Sequence, residues 1–146
     1  VLRPLDLMQP YRLEMGTKFT NKKGKNLYEF WGDSLTKSLN ADLKKSGSDF
    51  VVNLASNEYF SAVKKKELAG KLITPVFRDE KNGKYKVISF FAKKARGMMA
   101  DYIVRNGVTD PKELQKFKTA GYRFSKKESD DTTLVFLRKE GAAQLT

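Results

Sequence analysis

The chain of 146 residues contains no cysteine and no histidine. Without thiols there is no disulfide, no thiolate nucleophile and no zinc–thiolate site. Without imidazole the commonest general base and metal ligand is missing. Neither a Ser-His-Asp triad nor a two-histidine-one-carboxylate centre can be built from these residues. Any chemistry would fall to Asp, Glu, Lys, Tyr, Ser or the backbone. Proline is scarce, with 4 in the chain, and Pro4 and Pro10 fall near its start. No apolar run approaches the ~20 residues of a membrane span, and no signal peptide is recognisable. The expected location is therefore a reducing cytoplasm, with no membrane partner.

What is abundant is positive charge. Lys plus Arg is 29 and Asp plus Glu is 17, so 29 − 17 gives a formal charge of +12. Hydrophobic residues at 40% and aromatics at 12% suffice for the core of one domain. The excess charge points to an anionic partner, nucleic acid ahead of an acidic membrane surface. The competing explanation is a lysine-rich surface that only keeps the protein soluble.

The pattern along the chain predicts helix, strand, helix, hairpin, helix, helix, hairpin. Asn26 is a plausible cap for a helix to about Lys45, with Leu27, Phe30, Trp31, Leu35, Leu39 and Leu43 at helical spacing and Gly47 at its end. Phe50–Ala55 reads as a buried strand, and Ser56 as the cap of a short helix. Leu72–Arg78 and Lys84–Phe91 read as a hairpin about the Asn82-Gly83 turn. A helix from Lys93 to about Arg105 follows, with Ala95, Met99, Tyr102 and Ile103 as its apolar stripe and Asn106-Gly107 as its end. Asp110 and Pro111 begin the next helix. A last strand pair is expected at about Tyr122–Ser125 and Thr132–Arg138. The fold class is α/β in the mixed α+β sense, a single domain with a mixed sheet. Phe30, Trp31, Phe60, Phe77, Phe90 and Phe91 are assigned to the core.

Four groups of residues are candidate sites. Lys93, Lys94 and Arg96 stand with Gly97 at the expected start of a helix. Its free N–H groups make that end positive already, so a phosphate would resolve the conflict. The alternative is solvated lysines, with Arg96 paired to an acid such as Glu58 or Asp33. Arg3, Tyr11, Arg12 and Glu14, in a proline-bearing loop, suit phosphate contact and base stacking, or form structural pairs. Asn53, Ser56 and Glu58 follow a strand, where open α/β sheets place ligands, and could instead be capping and buried-amide groups. The runs Lys22-Lys23, Lys44-Lys45, Lys64-Lys65-Lys66 and Lys126-Lys127 lack aromatic interleaving and read as solvated faces. No two carboxylates stand at a recognisable ligand spacing, so no metal or cofactor is expected, and no catalytic residue is assigned.

The stretches Leu2–Gly16, Asn53–Phe60, Pro75–Lys84 and Ala92–Gly97 resemble the bacterial YaaA family of peroxide-stress proteins, in register from residue 1 to about residue 138. The resemblance implies a cytoplasmic protein linked to hydrogen peroxide resistance and to lowering of free intracellular iron. It implies a positively charged cleft and a helix–hairpin–helix element similar to those of DNA-binding proteins, with no reaction attached. That element would cover Lys93–Asn106, the Gly107–Asp110 loop and Pro111–Phe117, which adds Arg105 and Gly107 to the candidate DNA contacts. Family members carry a further N-terminal segment with a Ser-Pro-Ala-Lys motif. The chain opens on Val1, so residues 1–146 are expected to be the C-terminal portion of a single YaaA-like domain.

The expected partner is double-stranded or structured DNA, read without sequence preference, with a monomer as the default state. The competing function is an enzyme or small-ligand binder acting on a phosphorylated or carboxylated molecule.

Overall fold

Asn26 caps the first helix as its position predicts, its side-chain oxygen accepting the Glu29 N–H at 3.0 Å. The computed structural model describes Leu7 and residues 13–142. The chain divides into two units, Val1–Ser48 with Asn57–Ala69, and Asp49–Ser56 with Gly70–Thr146.

The first unit is helical. The single helix expected from Asn26 to Lys45 is two helices, α1 (Leu27–Trp31) and α2 (Ser34–Ser46), because Gly32 turns the chain with a φ of 52°. Gly47 ends α2 in the left-handed conformation, as expected. Thr36 on α2 is buried and its hydroxyl accepts the Lys64 N–H at 2.9 Å. Asn40 accepts from the Ala69 N–H and donates to the Glu67 carbonyl, both at 2.8 Å. The short helix α3 (Asn57–Phe60) contributes Phe60 to the interior. Glu58 accepts the Met15 N–H at 3.1 Å, and its carbonyl accepts the Tyr28 hydroxyl at 2.9 Å.

The second unit holds a mixed five-stranded sheet, as expected. Its strands are β1 (Phe50–Val52), β2 (Lys71–Lys81), β3 (Lys84–Lys86), β4 (Arg123–Phe124) and β5 (Thr133–Arg138). The order is β1-β2-β5-β4, with β3 paired to β2. β2 runs parallel to β1 and β5, while β3 and β4 pair antiparallel to β2 and β5. Pro75 interrupts nothing. Thr74 donates to Thr132 beside β5, so Pro75 turns its nitrogen to the opposite edge of β2. There β1 stops at Ile73 and β3 begins at Asp79.

The hairpin turn at Asn82-Gly83 forms as predicted, with φ of 55° and 73°. Its second arm does not reach Phe91. It ends at Lys86, and the helix α4 spans Ser89–Asn106. Residues 85–91 satisfy a period of two, but Ala92, Ala95 and Met99 continue the helical stripe one turn earlier than expected, and all three are buried. Phe90, assigned to the core, is 62% exposed.

The core lies between α4 and the sheet. Ile73 and Phe77 of β2 meet Ala95 and Met99 of α4, with Leu114, Phe117, Tyr122, Leu134 and Phe136. Phe77 stacks on Phe136 at 5.3 Å, and Phe117 meets both rings edge-on. Offset and edge-to-face pairs are favourable beyond their buried area.

Candidate nucleic-acid interface

The early start of α4 changes the reading of its cations. Lys93, Lys94 and Arg96 lie in the second turn of the helix, beyond its free N–H groups, and Gly97 lies in its interior. The opposition between cations and the helix start, inferred from a boundary at Lys93, is therefore absent. Lys93 and Lys94 are exposed. Lys94 places its ammonium 4.7 Å from the centre of the exposed Phe90 ring. Arg96 forms no ion pair among the described residues. It donates to the Ala55 carbonyl at 3.4 Å, tying α4 to the turn after β1, while Asp33 pairs with Lys37 at 2.7 Å. A side chain at Gly97 would meet open space.

Other candidates have structural work. Arg105 holds Asp101 through both carboxylate oxygens, at 2.7 and 2.8 Å. Gly107 closes α4 with a φ of 57°, its N–H directed back at the Ile103 and Val104 carbonyls. That amide is already engaged, and the segment after it, Pro111–Lys116, is a 3-10 stretch. Asp110 caps it as predicted, accepting from Lys112 at 2.8 Å. Asn53 is buried, and its side-chain oxygen accepts the Ala55 N–H at 3.0 Å, the buried-amide alternative. Asn53 and Ser56 belong to the sheet unit, whereas Glu58 belongs to the helical one. Arg3, Tyr11 and Arg12 lie outside the described residues. Among the described residues, no group of three or more carboxylates is gathered as a metal site.

Two constellations were not visible in the sequence. The first is a groove of about 690 Å³ beside β4, with Lys118, Arg123 and Lys139 around it and Tyr85 and Phe124 in its walls. No carboxylate lines it. None of the three cations has an ion-pair partner among the described residues. Arg123 is held in place from behind, one guanidinium nitrogen donating to the Tyr122 carbonyl at 2.8 Å and the Lys118 carbonyl at 3.1 Å. Burial, followed by the nearby carboxylates of Glu80 and Glu128, raises the Tyr85 phenol above its ordinary range. Its cations come from three separate segments, so no local run announces the groove.

The second is buried. Arg138 and Asp79 are register partners on the parallel strands β5 and β2, and Arg138 Nε lies 2.6 Å from Asp79 Oδ1. Both side chains are 6% exposed. Tyr122 donates its hydroxyl to the same carboxylate at 3.1 Å. The guanidinium carbon lies over the rings of Tyr122 and Phe91, 4.4 and 4.8 Å from their centres. The available signal was Asp79 in the inward alternation of β2 after Ile73 and Phe77.

Burial first, then the Asp79 charge, pushes the Tyr122 phenol well above the tyrosine range. The folded state therefore keeps this proton where the unfolded chain, with a phenol near 10, releases it. The contribution is fully present below about pH 10 and is lost as pH rises above it. Urea midpoints at about pH 9 and pH 11 should show a smaller alkaline decline in Tyr122→Phe than in the wild type. An equal decline would assign the ionisation to other groups.

The family model described as peroxide stress protein YaaA matches residues 1–128. A UPF0246 protein of Shewanella baltica is 64% identical over 140 residues, covering 96% of this chain and 54% of the relative. UPF0246 proteins of Idiomarina loihiensis and Saccharophagus degradans are 64% and 63% identical, with 96% and 95% of this chain covered. The chain spans about half the length of these relatives, 54% in each case. With this match in register along most of its length, the chain belongs to the YaaA family of peroxide stress proteins.

Proposed function

We propose that this protein binds DNA in the cytoplasm as part of the peroxide stress response, contacting the phosphate backbone with little sequence preference. The observation that carries the reading is the carboxylate-free groove of Lys118, Arg123 and Lys139 with Tyr85 and Phe124. Unpaired cations displace condensed counterions from a polyanion, and the aromatic walls offer apolar contact to sugar or base. Lys93 and Lys94 on α4 add two exposed cations. In this reading Arg96 and Gly97 belong to the helix that presents them.

The lysines of α4 are testable apart from the groove. Each phosphate contact adds about 0.9 to the slope of log affinity against log salt. Lys93→Ala/Lys94→Ala should therefore flatten the slope for a labelled duplex by about 1.8, equally for unrelated sequences. Fluorescence anisotropy across a salt series measures it. An unchanged slope would remove α4 from the interface and leave the groove alone.

A further inference from the structure

The register of the sheet puts the groove beside β4 on the face turned away from the core. Residues paired across neighbouring strands share a face. Arg123 of β4 pairs with Leu137 of β5, and Leu137 pairs with Arg78 of β2. Arg78 alternates with Phe77 and Asp79, which are buried on the opposite face, where Phe77 meets α4. Tyr85 reaches the face of Arg78 through its partner Glu80. Arg123, Leu137 and Tyr85 line the groove with Lys118 and Lys139.

The arginines differ in what they hold. Arg78 is paired with Glu128, Arg105 with Asp101 and Arg138 with Asp79. The contacts of Arg123 among the described residues are with neutral groups. Its Nη1 donates to the Tyr122 carbonyl at 2.8 Å and to the Lys118 carbonyl at 3.1 Å. Tyr122 is fully buried, so the first of these carbonyls is fixed by the core. The charge of Arg123 is therefore held in place without being neutralised. A guanidinium carries five N–H groups, two of them on Nη1. Those on Nε and Nη2 have no acceptor among the described residues. Nε–H and one Nη2–H point the same way, as a fork that matches two oxygens of one phosphate. A fork already held needs less ordering when its ligand arrives. Lys118 and Lys139 offer point charges on flexible stems instead.

We propose that Arg123 is the phosphate anchor of the groove. One phosphate group seats on its Nε–Nη2 edge, and position 123 requires a guanidinium rather than a positive charge of any shape. Lys118 and Lys139 add charge around that group, and Tyr85, Phe124 and Leu137 cover the apolar part of the molecule that carries it. The carrier is a DNA backbone, which rests on the nucleic-acid reading of the groove; a small phosphorylated molecule is the other source of the same group.

Two measurements test the anchor. In the first, the NMR signal of the Arg123 Nε–H is followed as inorganic phosphate is added to the chain. A saturable shift is expected, and it should persist in Lys118→Ala/Lys139→Ala. No saturable shift in the wild type would overturn the proposal, whether or not the chain binds DNA. In the second, anisotropy reads the affinity for a labelled duplex across a salt series. Arg123→Lys should bind about tenfold more weakly than the wild type at every salt, a loss of about 1.4 kcal/mol. Its slope should be unchanged, because the charge is kept. Arg123→Ala should lose the affinity and also flatten the slope by about 0.9. Arg123 is exposed, and a near-wild-type urea midpoint is the control for the fold. Wild-type affinity in Arg123→Lys would overturn the proposal, since charge alone would then suffice. A saturable phosphate shift in a chain that binds no duplex would support the anchor, overturn the DNA reading and make a small phosphorylated molecule the carrier.

Discussion

Arg138→Met is expected to cost about 3–5 kcal/mol of folding stability. The substitution leaves Asp79 at 6% exposure with the Tyr122 hydroxyl as its remaining side-chain donor among the described residues. The cost comes mainly from that stranded carboxylate, since a buried pair by itself contributes little beyond its own desolvation. A loss of this size is a large share of the ~5–15 kcal/mol that holds a domain together. Urea denaturation monitored by circular dichroism gives the value. Asp79→Leu/Arg138→Met should recover most of the loss, because it removes both charges and keeps apolar volume. A cost under about 1 kcal/mol for Arg138→Met would show that the pair behaves as a solvated surface bridge.

The second large effect concerns the groove. With Lys93, Lys94, Lys118, Arg123 and Lys139 each on a phosphate, the salt slope for duplex DNA is about −4.5. Raising salt from about 50 to 200 mM then lowers affinity roughly 500-fold. Lys118→Ala/Arg123→Ala/Lys139→Ala leaves two contacts and a slope of about −1.8, so the same change of salt costs only about tenfold. The three side chains are exposed, so the variant is expected to keep its fold, with near-wild-type urea midpoints as the control. A slope unchanged in the triple variant would mean that the groove is not where DNA lies.

The elements with local punctuation were legible in the sequence. Asn26, Gly47, Asn82-Gly83, Gly107 and Asp110 each hold the turn or cap that their chemistry predicts. Boundaries set by competition between periodicities were not. Residues 85–91 satisfy a strand pattern, but the buried faces of Ala92, Ala95 and Met99 extend the helix back to Ser89. With α4 starting at Ser89, Lys93, Lys94 and Arg96 do not stand against the positive end of a helix. The fold class survived the shift, since a mixed sheet depends on the order of elements rather than on their ends.

The site was less legible because its parts are brought together by tertiary structure. Lys118, Arg123 and Lys139 are separated in sequence and converge only because β4 pairs antiparallel with β5. Asp79 and Arg138 lie 59 positions apart and meet through the parallel register of β2 and β5. Arg105, a candidate through the helix–hairpin–helix resemblance, is held by Asp101 one turn earlier on the same helix.

The most direct test of the central claim is the anisotropy of a labelled duplex with this chain from about 50 to 200 mM salt, repeated with a second, unrelated sequence. Binding through five backbone contacts gives a steep linear dependence with a slope near −4.5, the same for both sequences. No binding at the lowest salt, or an affinity that differs strongly between the two sequences with little salt dependence, would contradict it.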